Sequence, residues 1–103
     1  MRGAQRTDDG GEQTSRLDLE LKGRVQGVGF RAWTRARARE IGVRGWVRNR
    51  PDGSVEVHAS GAADRLEAFR RAVLNGPPAA RVSSVHEAAE RPALDEGGFT
   101  IRR

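Results

Sequence analysis

From Leu17 onward apolar and polar residues alternate, with Leu17, Leu19, Leu21 and Val25 set against Asp18, Glu20, Lys22 and Arg24. This is the period-two signature of a strand with one wet face. The period then lengthens: Phe30, Thr34, Ala38 and Ile41 recur at helical spacing, and Gly42 is placed to end that helix. Arg37 falls at the rim of the stripe, where its stem can cover apolar surface and its head reach water. A second strand is predicted over VRGWVRNR, residues 43–50, and a third over SVEVHA, residues 54–59. Pro51-Asp52-Gly53 between them is hairpin chemistry, because proline presets the first turn dihedral and glycine accepts positive φ. Ala62, Leu66, Phe69 and Val73 mark a second helix, closed by Asn75-Gly76 with Pro77-Pro78 beyond it. Val82 and Val85 predict a fourth strand of imperfect alternation, and Phe99 with Ile101 a short terminal one after the loop PALDEGG. The order β-α-β-β-α-β with short connections predicts an α+β sandwich of ferredoxin-like form: two helices on one face of a mainly antiparallel four- to five-stranded sheet.

Length and composition narrow what such a sandwich would do. The 103 residues suit one domain, expected over 17–103, preceded by a disordered tail over 1–16 that is polar and without apolar period. No cysteine is present, which excludes disulfides, thiolate metal sites and cysteine nucleophiles and makes the cytoplasm the default compartment. With only His58 and His86 as soft ligands, a transition-metal site is not expected. No stretch approaches membrane-spanning length, and the first residues lack the apolar centre of a signal peptide. The net charge of +5 is concentrated, since residues 24–50 hold eight arginines against Glu40 alone. A local positive field of this kind would draw either small phosphorylated anions or nucleic acid.

Candidate chemistry gathers in GRVQGVGFR, residues 23–31, where Gly23, Gly27 and Gly29 join the first strand to the first helix. Three glycines so close cost backbone entropy, so the junction must need what glycine permits. The G-x-G-x-x-A spacing loosely fits a dinucleotide fingerprint, but Asn49 and Arg50 stand where its acidic residue belongs, and no Walker lysine follows the loop. What survives is the physics shared by both motifs: converging N–H groups at a helix N-terminus favour an anion. Arg31, in the first helical turn, is electrostatically misplaced unless an anion sits beside it; the competing reading is an arginine pointing into solvent. Asn49 alternates onto the same face as Val47, the inner one, close to the strand end; its competing reading is a turn residue bonded to its own backbone. His58 alternates outward and, like His86, is read as an isolated, exposed imidazole. Trp46, Arg44 and Arg48 share the outer face, where they could stack on one another or on a base. That keeps an RNA-binding platform as the alternative class. Its aromatics are scarce, because Phe30 and Phe69 belong to helical stripes and the strands hold only Trp46 and Phe99, so nucleic acid is not an expected partner.

Taken together, GRVQGVGFR, Thr34, IGVRGWVRN and the later Phe99-Thr100-Ile101 resemble the acylphosphatase family over residues 17–103. The resemblance implies metal-independent and cofactor-free hydrolysis of the carboxyl–phosphate bond of a small acyl phosphate. It further implies a backbone cradle from Gln26, Gly27, Val28, Gly29 and Phe30, phosphate binding by Arg31, and orientation of the attacking water by Asn49. Inorganic phosphate or sulfate should occupy the same cradle, and a monomer is expected. Arg102-Arg103 departs from a family pattern in which tyrosine often closes the chain, a difference that bears on terminal packing. Elementary chemistry agrees with these roles. The leaving group is a carboxylate of pKa about 4, which departs without a strong general acid. The reaction needs charge neutralised on the phosphoryl oxygens and a water held in line.

Overall fold

Both helical stripes fold as their spacing predicts, except that Ala62 ends a strand and the second helix starts at Ala63. The computed structural model describes residues 14–88 and 97–103. Along the chain run β1 (Thr14–Arg24), α1 (Phe30–Ile41), β2 (Arg44–Asn49), β3 (Val55–Ala62), α2 (Ala63–Asn75), β4 (Arg81–Glu87) and β5 (Phe99–Arg102). The strands form one sheet in the order β4-β1-β3-β2-β5. All pairings are antiparallel except that of β2 with β5, giving the ferredoxin-like sandwich. Helix α1 buries Phe30, Thr34 and Ala38, helix α2 buries Leu66, Phe69 and Val73, and Gly42 ends α1 in the left-handed conformation.

Register explains the core. Leu17, Ala59, Gly45 and Phe99 lie level across the sheet, as do Leu19, Val57, Val47 and Ile101. Most of these are buried beneath the helices, where the Phe69 and Phe99 rings meet edge-on with centroids 5.6 Å apart. Each leucine, valine or phenylalanine among them withdrawn from water contributes about 1.5–3 kcal/mol. The next row reads Leu21, Val55, Asn49, so an amide stands where the pattern calls for an apolar side chain. Strands β1 and β2 both run antiparallel to β3, hence parallel to each other. Their C-terminal ends therefore flank the start of β3, and the loop leaving β1 arrives beside Asn49.

Several expectations are corrected. The first strand begins at Thr14 rather than Leu17, because β3 extends to Ala62 and gives Thr14, Ser15 and Arg16 partners. Residues 14–16 thus belong to the sheet, while 1–13 of the expected tail, and 92–96 of the loop before β5, lie outside the described residues. The weak alternation of β4 reflects its edge position, with Val85 exposed. Gly23 serves the sheet and not the junction loop: the register of β4 shifts at Lys22/Gly23, and a Cβ there would lie 2.1 Å from the Arg81 carbonyl oxygen.

The largest correction concerns His58. It does face outward, but it is neither isolated nor exposed. Its ring stacks on Trp46 with centroids 4.2 Å apart, and its nitrogens face Asp18 Oδ1 and, at 2.8 Å, Glu56 Oε1. Burial alone would raise both carboxyls, but hydrogen bonds outweigh it and hold them below their ordinary values. The partners that lower them are His58 and Arg16 for Asp18, and His58 and Arg48 for Glu56. The outer face is thus a satisfied cross-strand network. Trp46 also carries the Arg102 and Arg48 guanidinium carbons at 4.5 and 5.5 Å from its ring centroid, so the stacking surface that an RNA platform would use is already engaged.

Candidate active site

The loop between β1 and α1 gains its shape from two left-handed glycines. Gly27 and Gly29 both have φ of 76°, and a Cβ on either would meet nothing within 4 Å. Glycine is required here by conformation rather than by crowding. Left-handed residues at alternate positions are of the kind that allow successive N–H groups to turn toward one side, a backbone form suited to an anion. Gly29 is also the N-cap of α1; its carbonyl oxygen accepts the Trp33 N–H at 3.0 Å, and no side chain caps the helix. The first turn contains no acidic residue of its own to offset the positive end of the helix.

A cavity of about 230 Å³ opens at this junction. Gly27, Gly29, Phe30 and Arg31 line it from the loop and first turn, Asn49 from the end of β2, with Val25, Ala32 and Ile101 completing the wall. Arg31 is half-buried and makes no ion pair with any described residue. Among the described residues no carboxylate lines the cavity. Asn49 is half-buried, and its Oδ1 is buried with no hydrogen-bond partner among the described residues. Leaving such an acceptor unpaired costs about 1–3 kcal/mol, a cost removed when a donor binds. The cavity therefore offers uncompensated positive charge on one side and a bare hydrogen-bond acceptor on the other.

The structure brings together Gly27, Gly29, Phe30, Arg31 and Asn49 of the residues singled out from the sequence. Gln26 and Val28 do not line the cavity. Val28 instead packs on the core, and the Gln26 side chain turns to the β2–β3 hairpin, its Nε2 donating to the Arg50 and Ser54 carbonyl oxygens at 2.8 Å each. Ile101 was not among the expected site residues. The signal that finds it is register, because it pairs beside Val47, two positions before Asn49, on a parallel strand. Among the described residues no group of three histidine, cysteine, aspartate or glutamate side chains is arranged to hold a metal ion, and no helix is long and apolar enough to cross a membrane.

Comparison with known proteins converges on one family. The family model described as acylphosphatase matches residues 17–101. An acylphosphatase of Cupriavidus metallidurans is 54% identical over 81 residues, covering 79% of this chain and 85% of that protein. One from Salinibacter ruber is 49% identical over 88 residues, covering 85% and 93% respectively. The crystal structure of acylphosphatase from Bacillus subtilis superposes with a TM-score of 0.81 at 37% identity, covering 86% of this chain and 99% of that one.

Proposed function

Because this chain belongs to the acylphosphatase family, we propose that it hydrolyses the carboxyl–phosphate bond of small acyl phosphates at the cavity between the β1–α1 loop and the end of β2. One observation carries the assignment of residues: Arg31 and Asn49 Oδ1, both without a partner among the described residues, and two left-handed glycines at a helix N-terminus line the same cavity. The phosphoryl group sits in the concavity of residues 26–30, where backbone N–H groups donate to its oxygens. Arg31 adds a full positive charge and forked donors matched to phosphate. Asn49 Oδ1 accepts one O–H of a water, which leaves the water's lone pair free to face phosphorus.

In the reaction the water oxygen bonds to phosphorus as the bond from phosphorus to the acyl oxygen breaks. The electrons of that bond leave on the carboxylate. The water's protons end on the phosphate product or in solvent. No covalent enzyme intermediate is needed, and the leaving group needs no proton. Catalysis then rests on position and charge: Arg31 and the N–H groups stabilise the phosphoryl oxygens, and Asn49 removes the disorder of the nucleophile. The test is hydrolysis of benzoyl phosphate in the presence of a chelator. Turnover should be undiminished by the chelator, and alkyl phosphate monoesters, whose alkoxide needs a general acid, should react poorly. Activity lost to the chelator and restored by a divalent ion would refute the scheme, as would comparable turnover of an alkyl monoester.

A further inference from the structure

The side chain of Gln26 holds the two halves of the proposed site together. It leaves the cradle just before Gly27 and crosses the start of β3. There its Nε2 donates to the Arg50 and Ser54 carbonyl oxygens, each at 2.8 Å. These carbonyls belong to the hairpin that begins immediately after Asn49. The same two oxygens close the hairpin itself, Ser54 accepting from the Arg50 N–H at 2.8 Å and Arg50 from the Gly53 N–H at 3.1 Å. The hairpin is further braced by Asp52, whose Oδ1 accepts from the Ser54 N–H at 3.0 Å and from the Ser54 hydroxyl at 2.6 Å. Both amide hydrogens of Gln26 are thus engaged on one rigid turn.

No strand ladder joins the loop to that turn directly. Strand β1 pairs with β3 no further than Leu21, and β2 meets β3 up to Asn49. Between Leu21 and the cavity lies the β-bulge at Gly23, and the cradle itself contains two left-handed glycines, so the distance from cradle to Asn49 would be set only loosely by the β1–β3 ladder. A part-buried, two-pronged amide bridge across that gap fixes it.

We propose that Gln26 is a positioning residue: its side chain sets the distance between the phosphoryl cradle and Asn49, and so the alignment of the attacking water. This rests on the reading that Asn49 orients the water. Displacing a reacting group by about 1 Å can cost on the order of 10²-fold in rate, so the bridge should matter for turnover more than for binding. Neither hydrogen bond is made to Arg31 or to a loop N–H group, so phosphate affinity should depend on them less than turnover does.

The experiment is a double-mutant cycle with benzoyl phosphate, paired with inorganic phosphate affinity. Gln26→Met keeps the length of the side chain and removes both donors. Should it fail to fold, Gln26→Asn, too short to reach both carbonyls, carries the same test. The expected result is a kcat lowered by about 10- to 100-fold with phosphate affinity within about twofold of the parent. In an Asn49→Ala background the same substitution should cost little more, because the group it positions is gone. Two outcomes overturn the proposal alone: a phosphate affinity that falls as far as kcat, which would make Gln26 part of the cradle, or losses that multiply in the double variant. If Asn49→Ala itself retained full turnover, the reading beneath the proposal would fall, and the proposal with it.

Discussion

Replacing Gly29 by alanine separates what the loop needs from what the ligand needs. Gly29 stands at φ 76° and ψ 18°, and its missing Cβ faces open space, with no atom within 4 Å. Steric collision therefore contributes nothing, and the cost is that of a left-handed L-residue, about 1–2 kcal/mol. Alanine is also a poorer N-cap than glycine. Against this, alanine reduces the entropy of the unfolded chain, worth about 0.4–1 kcal/mol. The net destabilisation should be about 1 kcal/mol, which lowers Tm by about 4–8 °C in a domain of this size. Gly29→Asn, which tolerates the left-handed region, should lose less. Gly23→Ala should lose several times more, since its Cβ would lie 2.1 Å from the Arg81 carbonyl oxygen and the edge strand would have to move. Equilibrium urea denaturation of the three variants ranks them. If Gly29→Ala proved as damaging as Gly23→Ala, the distinction between conformational and steric need would be wrong. With the fold retained, Gly29→Val should abolish both benzoyl phosphate hydrolysis and phosphate binding; undiminished turnover in a folded Gly29→Val chain would mean the glycines serve only the turn.

Arg31→Ala should weaken inorganic phosphate binding and raise KM while lowering kcat, because it removes charge felt in both ground and transition states. Asn49→Ala should leave phosphate affinity nearly intact and lower kcat by on the order of 10² or more; equal loss of phosphate binding in both variants would show that the amide contacts the anion directly. Folding should become less favourable in acid. Asp18 and Glu56 titrate below their ordinary values of 3.8 and 4.5, so the stabilisation they give is fully present above those values and is lost as pH falls through the lowered ones. Urea midpoints measured from about pH 6 to pH 3 should fall, and fall less steeply in Asp18→Asn; a profile indifferent to that substitution would contradict the network's role.

The helices and the site loop were legible because their signals are local. The stripes Phe30-Thr34-Ala38 and Leu66-Phe69-Val73 repeat every turn, and both helices end at the glycines that the sequence marks. That Arg31 and Asn49 would stand out was legible through chemical misfit, a cation at a positive helix end and an amide on an apolar face, and the two line one cavity. What could not be read depends on register between distant segments. His58 meets Asp18 across 40 positions, and its neighbours in sequence do not reveal that contact. The role of Gly23 requires knowing that β4 passes beside it, and Ile101 enters the cavity wall only once β5 is known to lie parallel to β2. The resemblance implies a cradle role for the Gln26 backbone, and nothing near it in sequence signals that its side chain bonds to carbonyls 24 and 28 positions away.

The most direct test of the account is a titration with inorganic phosphate followed by ¹H–¹⁵N resonances of the backbone amides. Saturable shifts should centre on Gly27, Val28, Gly29 and Phe30, with the amides of the outer face around Trp46 and His58 unmoved and the response lost in Arg31→Ala. Shifts centred on Trp46 and its arginines, with the loop amides silent, would contradict the assignment of the β1–α1 junction as the phosphoryl site.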